Sequence, residues 1–320
     1  MGRNPGPSAS NPTVTALWDK SAMPTTAKTS TKINPYDRGF TIHLLDHNIL
    51  PLEYDPPDGK EPEPPDNMRE IEADIGAARG PEPAEDFQLF RKQYRRCSNE
   101  DAALQLLDTL EGDSAALLQS HLIRQKQMMS NLAPLTDGNM SHGSPDRAYG
   151  AAATELHRSV RQRLEGVVVP TGDKDFICPN FVVHAKSDSG SMKVARGQAA
   201  YDGALAARGM QALWDFGDGP PDAQAQAARV ARTITCTWAF GVLKMYATHR
   251  EPDSEVPPAG LAPREFPTYV SSLIGSWIMT DEEDQFLRGL TAYRNGLDWA
   301  KRQRDEVIGR ANARARAEEA

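Results

Sequence analysis

The sequence predicts an α+β protein. Three observations carry that expectation. Helical hydrophobic spacing dominates up to about residue 164, short β-branched runs follow it, and a long polar helix closes the chain. No internal repeat is visible, which sets aside solenoids and propellers. The simplest parse is one domain over residues 35–312, a disordered tail over 1–34 and a frayed C-terminus over 313–320.

Each element has its own warrant. The tail is rich in Ser, Thr, Asn and Pro, a composition too poor in apolar side chains to fold. Residues 40–52 are apolar enough to dock as a short strand or helix. Asp86 is placed to cap a helix carrying Phe87, Leu89, Phe90 and Tyr94. Ser98, with Asp101 three residues on, opens a second, carrying Leu104, Leu106, Leu107 and Leu110, and Gly112 ends it. A third is expected over 114–130, with Leu117, Leu118, Leu122 and Ile123 inward. Residues 134–145 are turn chemistry, and a helix is expected over 151–164. Strands are then expected at 167–169 and 181–186. Residues 195–213 form a helix of small side chains, which suits close packing on a sheet. Strands at 231–238 and 243–248 flank a Phe240-Gly241 turn, and 269–279 is a further apolar run. Thr280 and Glu283 read as a capping box for a helix reaching about residue 315.

Composition narrows the function classes. The 320 residues carry 44 acidic and 36 basic side chains, a net charge of −8. Residues 53–86 hold twelve acids and three bases, so the whole acidic excess sits there and the remainder stands at +1. Eight prolines between 51 and 83 break regular structure, so this stretch reads as an extended acidic connector with room for a short helix at 67–75. Overall acidity argues against a protein that coats nucleic acid with its whole surface, but the location of the charge weakens that objection. No apolar run reaches the roughly 18 residues of a membrane helix, so no membrane partner is expected. Residues 1–10 lack a signal-peptide core, which with three scattered cysteines suggests an intracellular protein with reduced, mostly buried thiols. Cys97, Cys178 and Cys236 show no Cys/His pairing at metal-ligand spacing.

The chemistry-bearing segment is 181–213. A strand ends in His184-Ala185-Lys186, and the next helix carries Gln198 and Tyr201, which share a face. Pro145-Asp146 stands upstream. This arrangement resembles the PD-(D/E)XK nuclease-like fold, in which Pro-Asp is followed by (Asp/Glu)-x-Lys, often with Gln and Tyr on the next helix. More closely, it is similar to a domain family of unknown function found in fungal proteins. The shared residues are Pro179-Asn180-Phe181, Ala185-Lys186, Gln198, Tyr201-Asp202-Gly203-Ala204 and Ala207-Arg208. Leu243-Lys244-Met245-Tyr246 with His249, and Ala292-Tyr293-Arg294-Asn295, extend the likeness over about residues 36–312.

The resemblance implies a short mixed sheet flanked by helices, with a helical N-terminal part and a long C-terminal helix. It also implies a site in which two carboxylates hold Mg²⁺ or Mn²⁺ while a lysine helps position water against a phosphodiester, with nucleic acid as the candidate partner. Asp146 would be the first carboxylate and Lys186 the lysine, with Gln198 and Tyr201 lining the site. His184 stands where the second carboxylate belongs, and an imidazole suits Zn²⁺ or Mn²⁺ better than Mg²⁺. Asp173, Asp175 and Glu155 compete with Asp146 as the first carboxylate. The bland alternatives are a hydrogen-bonded histidine at a strand end and an ion-paired lysine. The 188–191 loop has one glycine and no Gly-Lys-Ser/Thr, so it is no phosphate cradle. Lys301, Arg302 and Arg304 read as a solvated helix face diluted by Asp298, Asp305 and Glu306. The favoured expectation is a nuclease-like protein degenerate at its metal site, serving as a binding module. An active metal-dependent nuclease is the alternative.

Overall fold

The computed structural model describes residues 32–57, 59–79, 87–112, 119–187, 190–218, 229–252 and 266–320. Among them are a six-stranded mixed sheet and eight α-helices, an α+β architecture. The strands are β1 (Leu122–Gln125), β2 (Arg147–Ala152), β3 (Phe176–Lys186), β4 (Thr233–Ala239), β5 (Val242–Arg250) and β6 (Tyr269–Ile278), in that spatial order. Neighbours are antiparallel except β3 and β4, which are parallel. The connection between those two carries the long helix α7 (Met192–Asp218), because parallel neighbours need a crossover. The other helices are α1 (Phe40–Asp46), α2 (Met68–Gly76), α3 (Phe87–Tyr94), α4 (Glu100–Glu111), α5 (Arg158–Arg163), α6 (Glu165–Val168) and α8 (Glu283–Glu319).

β3 is buried along all eleven residues, as a strand covered on both faces must be. Phe181, Val183 and Ala185 join the cluster built with Trp238, Met245, Tyr293 and Trp299. Val182 joins the cluster that holds Ala199, Ala200 and Ala204 of α7 and Phe40 and Leu44 of α1. The small side chains of α7 let it lie close on the sheet. A Cβ on Gly203 would sit 2.4 Å from Thr235 Oγ1, so only glycine fits there. α8, 37 residues and about 55 Å long, contributes Phe286 to Ala300 to the first cluster. Further along, its Val307, Ile308 and Ala311 pack in a third cluster with Met210 and Leu213.

Several expectations are corrected. The expected helix over 114–130 gives way to strand β1 at Leu122, where pairing with β2 decides (residues 113–118, with Leu117 and Leu118, lie outside the described residues). The expected helix over 151–164 is instead the end of β2, a 3₁₀ turn at Ala153–Glu155 and the short α5. Alanine-rich β2 is held as a strand by pairing with β3, which outweighs propensity. The expected strand at 167–169 is instead α6, whose Val168 is buried. α4 is capped by Asn99, whose Oδ1 accepts from Ala102 N–H at 2.9 Å, and not by Ser98. The Thr280–Glu283 box is not formed. α8 starts after Glu282 with no side-chain cap and continues to Glu319, past the expected fraying point. The Asp86 cap and most of the expected disordered tail lie outside the described residues. From Lys32 the chain is already engaged, for Ile33 bridges to Met140.

The described part of the acidic connector lies on the body. Glu53 pairs with Arg196 and Lys244 and accepts from the Tyr246 hydroxyl at 3.0 Å. Asp74 pairs with Arg302 at 2.7 Å. Of the three thiols, Cys178 and Cys236 are buried and Cys97 is half-buried, and none of them forms a disulfide. No helix among the described residues is long and apolar enough to cross a membrane.

Candidate functional site

The start of β2 and the end of β3 lie side by side, since Arg147 pairs with Val183. That register brings Asp146 beside His184. Asp146 Oδ2 accepts the Ala185 N–H at 2.8 Å, so the carboxylate continues the β2–β3 ladder where β2 has not yet begun. His184 points from β3 to the α7 face. Its Nε2 lies 3.0 Å from Asp202 Oδ2 and donates to it, and its Nδ1 lies 3.8 Å from Asp146 Oδ2. The imidazole is therefore flanked by two aspartates on opposite edges.

Asp202 is buried on α7 and also accepts the Ser144 N–H at 3.1 Å. Gly143 makes that approach possible, because a Cβ there would stand 2.3 Å from Asp202 Oδ1. Lys186, buried at the end of β3, donates to Glu100 Oε2 at 3.0 Å. Glu100 opens α4, and its neighbour Asp101 pairs with Lys126 and holds that ammonium above the usual lysine range.

Three of the expected residues, Asp146, His184 and Lys186, therefore share the β2–β3 end. Tyr201 does not join the His184 contacts. It is buried in the apolar cluster with Phe40, Leu44 and Leu135, and burial pushes its phenol up to about 12. Gln198 is half-buried, and its side-chain carbonyl has no hydrogen-bond partner. The competing carboxylates stand elsewhere. Asp173 and Asp175 precede β3, whose start lies about 26 Å of extended strand from His184. Asp175 pairs with Arg124. Glu155 folds back on its own turn, accepting the Ala152 N–H at 2.7 Å, and Ala152 pairs with Phe176 at that same far end.

Two residues of the cluster, Glu100 and Asp202, were not legible as site residues in the sequence. Asp202 had a signal, the Tyr-Asp-Gly break in a run of helix formers, but that pattern points to close packing more than to ligand contact. Glu100 had none, since it lies 86 residues from Lys186. The basic face is also revised. Arg304 is buried and donates to Asn180 Oδ1 at 2.8 Å, while Lys301 pairs with Asp305 and Arg302 with Asp74.

The donor atoms of Glu100, Asp146, His184 and Asp202 do not supply three ligands within 4.8 Å of one another. A hard cation needs several oxygens converging on one point. Here each carboxylate faces a protein N–H or cation instead, so the residues do not fit a two-carboxylate Mg²⁺ centre. Comparison with family models, curated proteins and solved structures finds no match to this chain.

Proposed function

We propose that the chain is a PD-(D/E)XK nuclease-like protein whose metal site has become an internally paired polar cluster, and that it serves as a non-cleaving binding module. One observation carries the reading. The imidazole of His184, which stands in the sequence where the resemblance puts the second carboxylate, is flanked by Asp146 and Asp202, while Lys186 is engaged by Glu100. Removing a charged partner from such a cluster is costly, so its members hold the fold at this point and are not free to bind a cation. Nucleic acid is the partner class that the resemblance implies.

A second reading, an active metal-dependent nuclease, is favoured by the gathering of Glu100, Asp146 and Asp202 about His184 and Lys186. One panel separates the two. Single- and double-stranded DNA and RNA are incubated with the protein in Mg²⁺, Mn²⁺ and Zn²⁺, beside Lys186→Ala and His184→Glu. The proposed reading expects no cleavage by the wild type, retained mobility shift of one substrate, and activity, if any, only in His184→Glu. Wild-type cleavage that disappears in Lys186→Ala rejects it.

A further inference from the structure

Away from this cluster, His43 in the last turn of α1 and His47 at its C-cap bring their rings to 4.4 Å between centroids. The 134–145 turn brings Asp137 to them. His43 Nε2 lies 3.3 Å from Asp137 Oδ1, and it is buried without a well-directed hydrogen bond. Donor atoms of all three side chains lie within 4.8 Å of one another, and no other described His/Cys/Asp/Glu group meets that condition. A tetrahedral ion with bonds of roughly 2.0–2.1 Å separates its ligands by about 3.4 Å, close to the His43–Asp137 spacing.

The surroundings orient these ligands. His47 Nδ1 lies 2.8 Å from the His43 carbonyl and donates to it, which leaves the Nε2 lone pair facing Asp137. That lone pair now meets only the Asp137 N–H, at 3.2 Å, a weak bond for a metal to displace. The Asp137 carboxylate is fixed by the Asn139 N–H at 3.0 Å and the Asn139 amide at 2.9 Å. Hydrogen bonds of this kind hold the ligands in place in metal sites. Burial and the neighbouring His47 lower the His43 pKa, and the Asn139 N–H lowers that of Asp137.

We propose that His43, His47 and Asp137 form a binding site for a divalent transition metal of the zinc class, with the remaining coordination position left to water. Two imidazoles and one carboxylate select Zn²⁺ over Mg²⁺ or Ca²⁺. Bound there, the ion ties α1 to the turn that leads through Gly143 and Ser144 to Asp146.

The test is calorimetric titration of the full chain, stripped with chelator, with Zn²⁺ and separately with Mg²⁺. The expected result is one Zn²⁺ per chain, no Mg²⁺ heat, and affinity at least about tenfold weaker in His43→Ala and in Asp137→Asn. Asp137→Asn is nearly isosteric at a half-exposed position, so it keeps the test valid if His43→Ala misfolds. Zn²⁺ should also raise the unfolding temperature of the wild type and not of Asp137→Asn. Absence of Zn²⁺ binding, or binding of equal strength in both variants, overturns the proposal.

Discussion

Arg147 follows Asp146 directly and anchors the start of β2, so its removal probes what holds the candidate site in place. Its guanidinium is 2 % exposed and pairs with Glu111, which is 8 % exposed, and with Asp108 at 2.9 Å. The Glu111 carboxylate also accepts from the Tyr149 hydroxyl, and Tyr149 and Tyr293 share a hydrogen bond of 2.8 Å. Arg147→Met leaves the Glu111 charge buried with one neutral donor. Breaking a buried pair in this way costs about 3–5 kcal/mol. The Asp108 contact adds little, because Asp108 is 62 % exposed. Glu111→Leu alone should also be destabilising, since it leaves the buried Arg147 charge with only the exposed Asp108. In Arg147→Met/Glu111→Leu both charges are gone, and stability should return to within about 2 kcal/mol of wild type. Urea unfolding followed by tryptophan fluorescence measures all four proteins. If Arg147→Met matches the wild type, or the two single costs simply add, the pair does not anchor β2.

Two further outcomes follow from buried groups. His121 lies against Arg304, and burial, then the charges of Arg304 and Lys301, lower its pKa from 6.5 to about 3. The unfolded chain takes up this proton and the fold does not, so stability is full above pH 6.5 and falls as pH drops toward about 3, by up to about 1.4 kcal/mol per pH unit. His121→Gln should flatten that slope between pH 6 and 4, and equal slopes in urea titrations would refute the assignment. Gly203→Ala should cost about 1–3 kcal/mol by overpacking against Thr235 Oγ1, with partial recovery in Gly203→Ala/Thr235→Ala. A thermal melt of Gly203→Ala unchanged from wild type would show that α7 is free to shift off the sheet.

What could be read from the sequence follows from how local each feature is. β3 and α7 were legible because a β-branched run and a small-residue helix carry their own patterns. β2 was not, since Arg-Ala-Tyr-Gly-Ala-Ala becomes a strand only by lying between β1 and β3. Val167 to Val169 misled in the opposite direction, because a helical turn buries Val168 despite its strand preference. In the site, Asp146, His184 and Lys186 were singled out by the order of the resembled motif, with Asp173, Asp175 and Glu155 left open beside Asp146. Their partners Asp202 and Glu100 arrive from α7 and α4, and only tertiary structure joins them. The His43–His47 spacing was present in the sequence, but without Asp137 it is an ordinary pair on a helix.

On the proposed reading the His184 cluster pairs within itself and does not hold a catalytic cation. Calorimetric titration of His43→Ala/His47→Ala, which removes the other metal-capable group, with Mg²⁺ and Mn²⁺ tests it directly. No saturable heat is expected up to millimolar metal, with or without Asp146→Ala. Saturable micromolar binding that Asp146→Ala abolishes would contradict it.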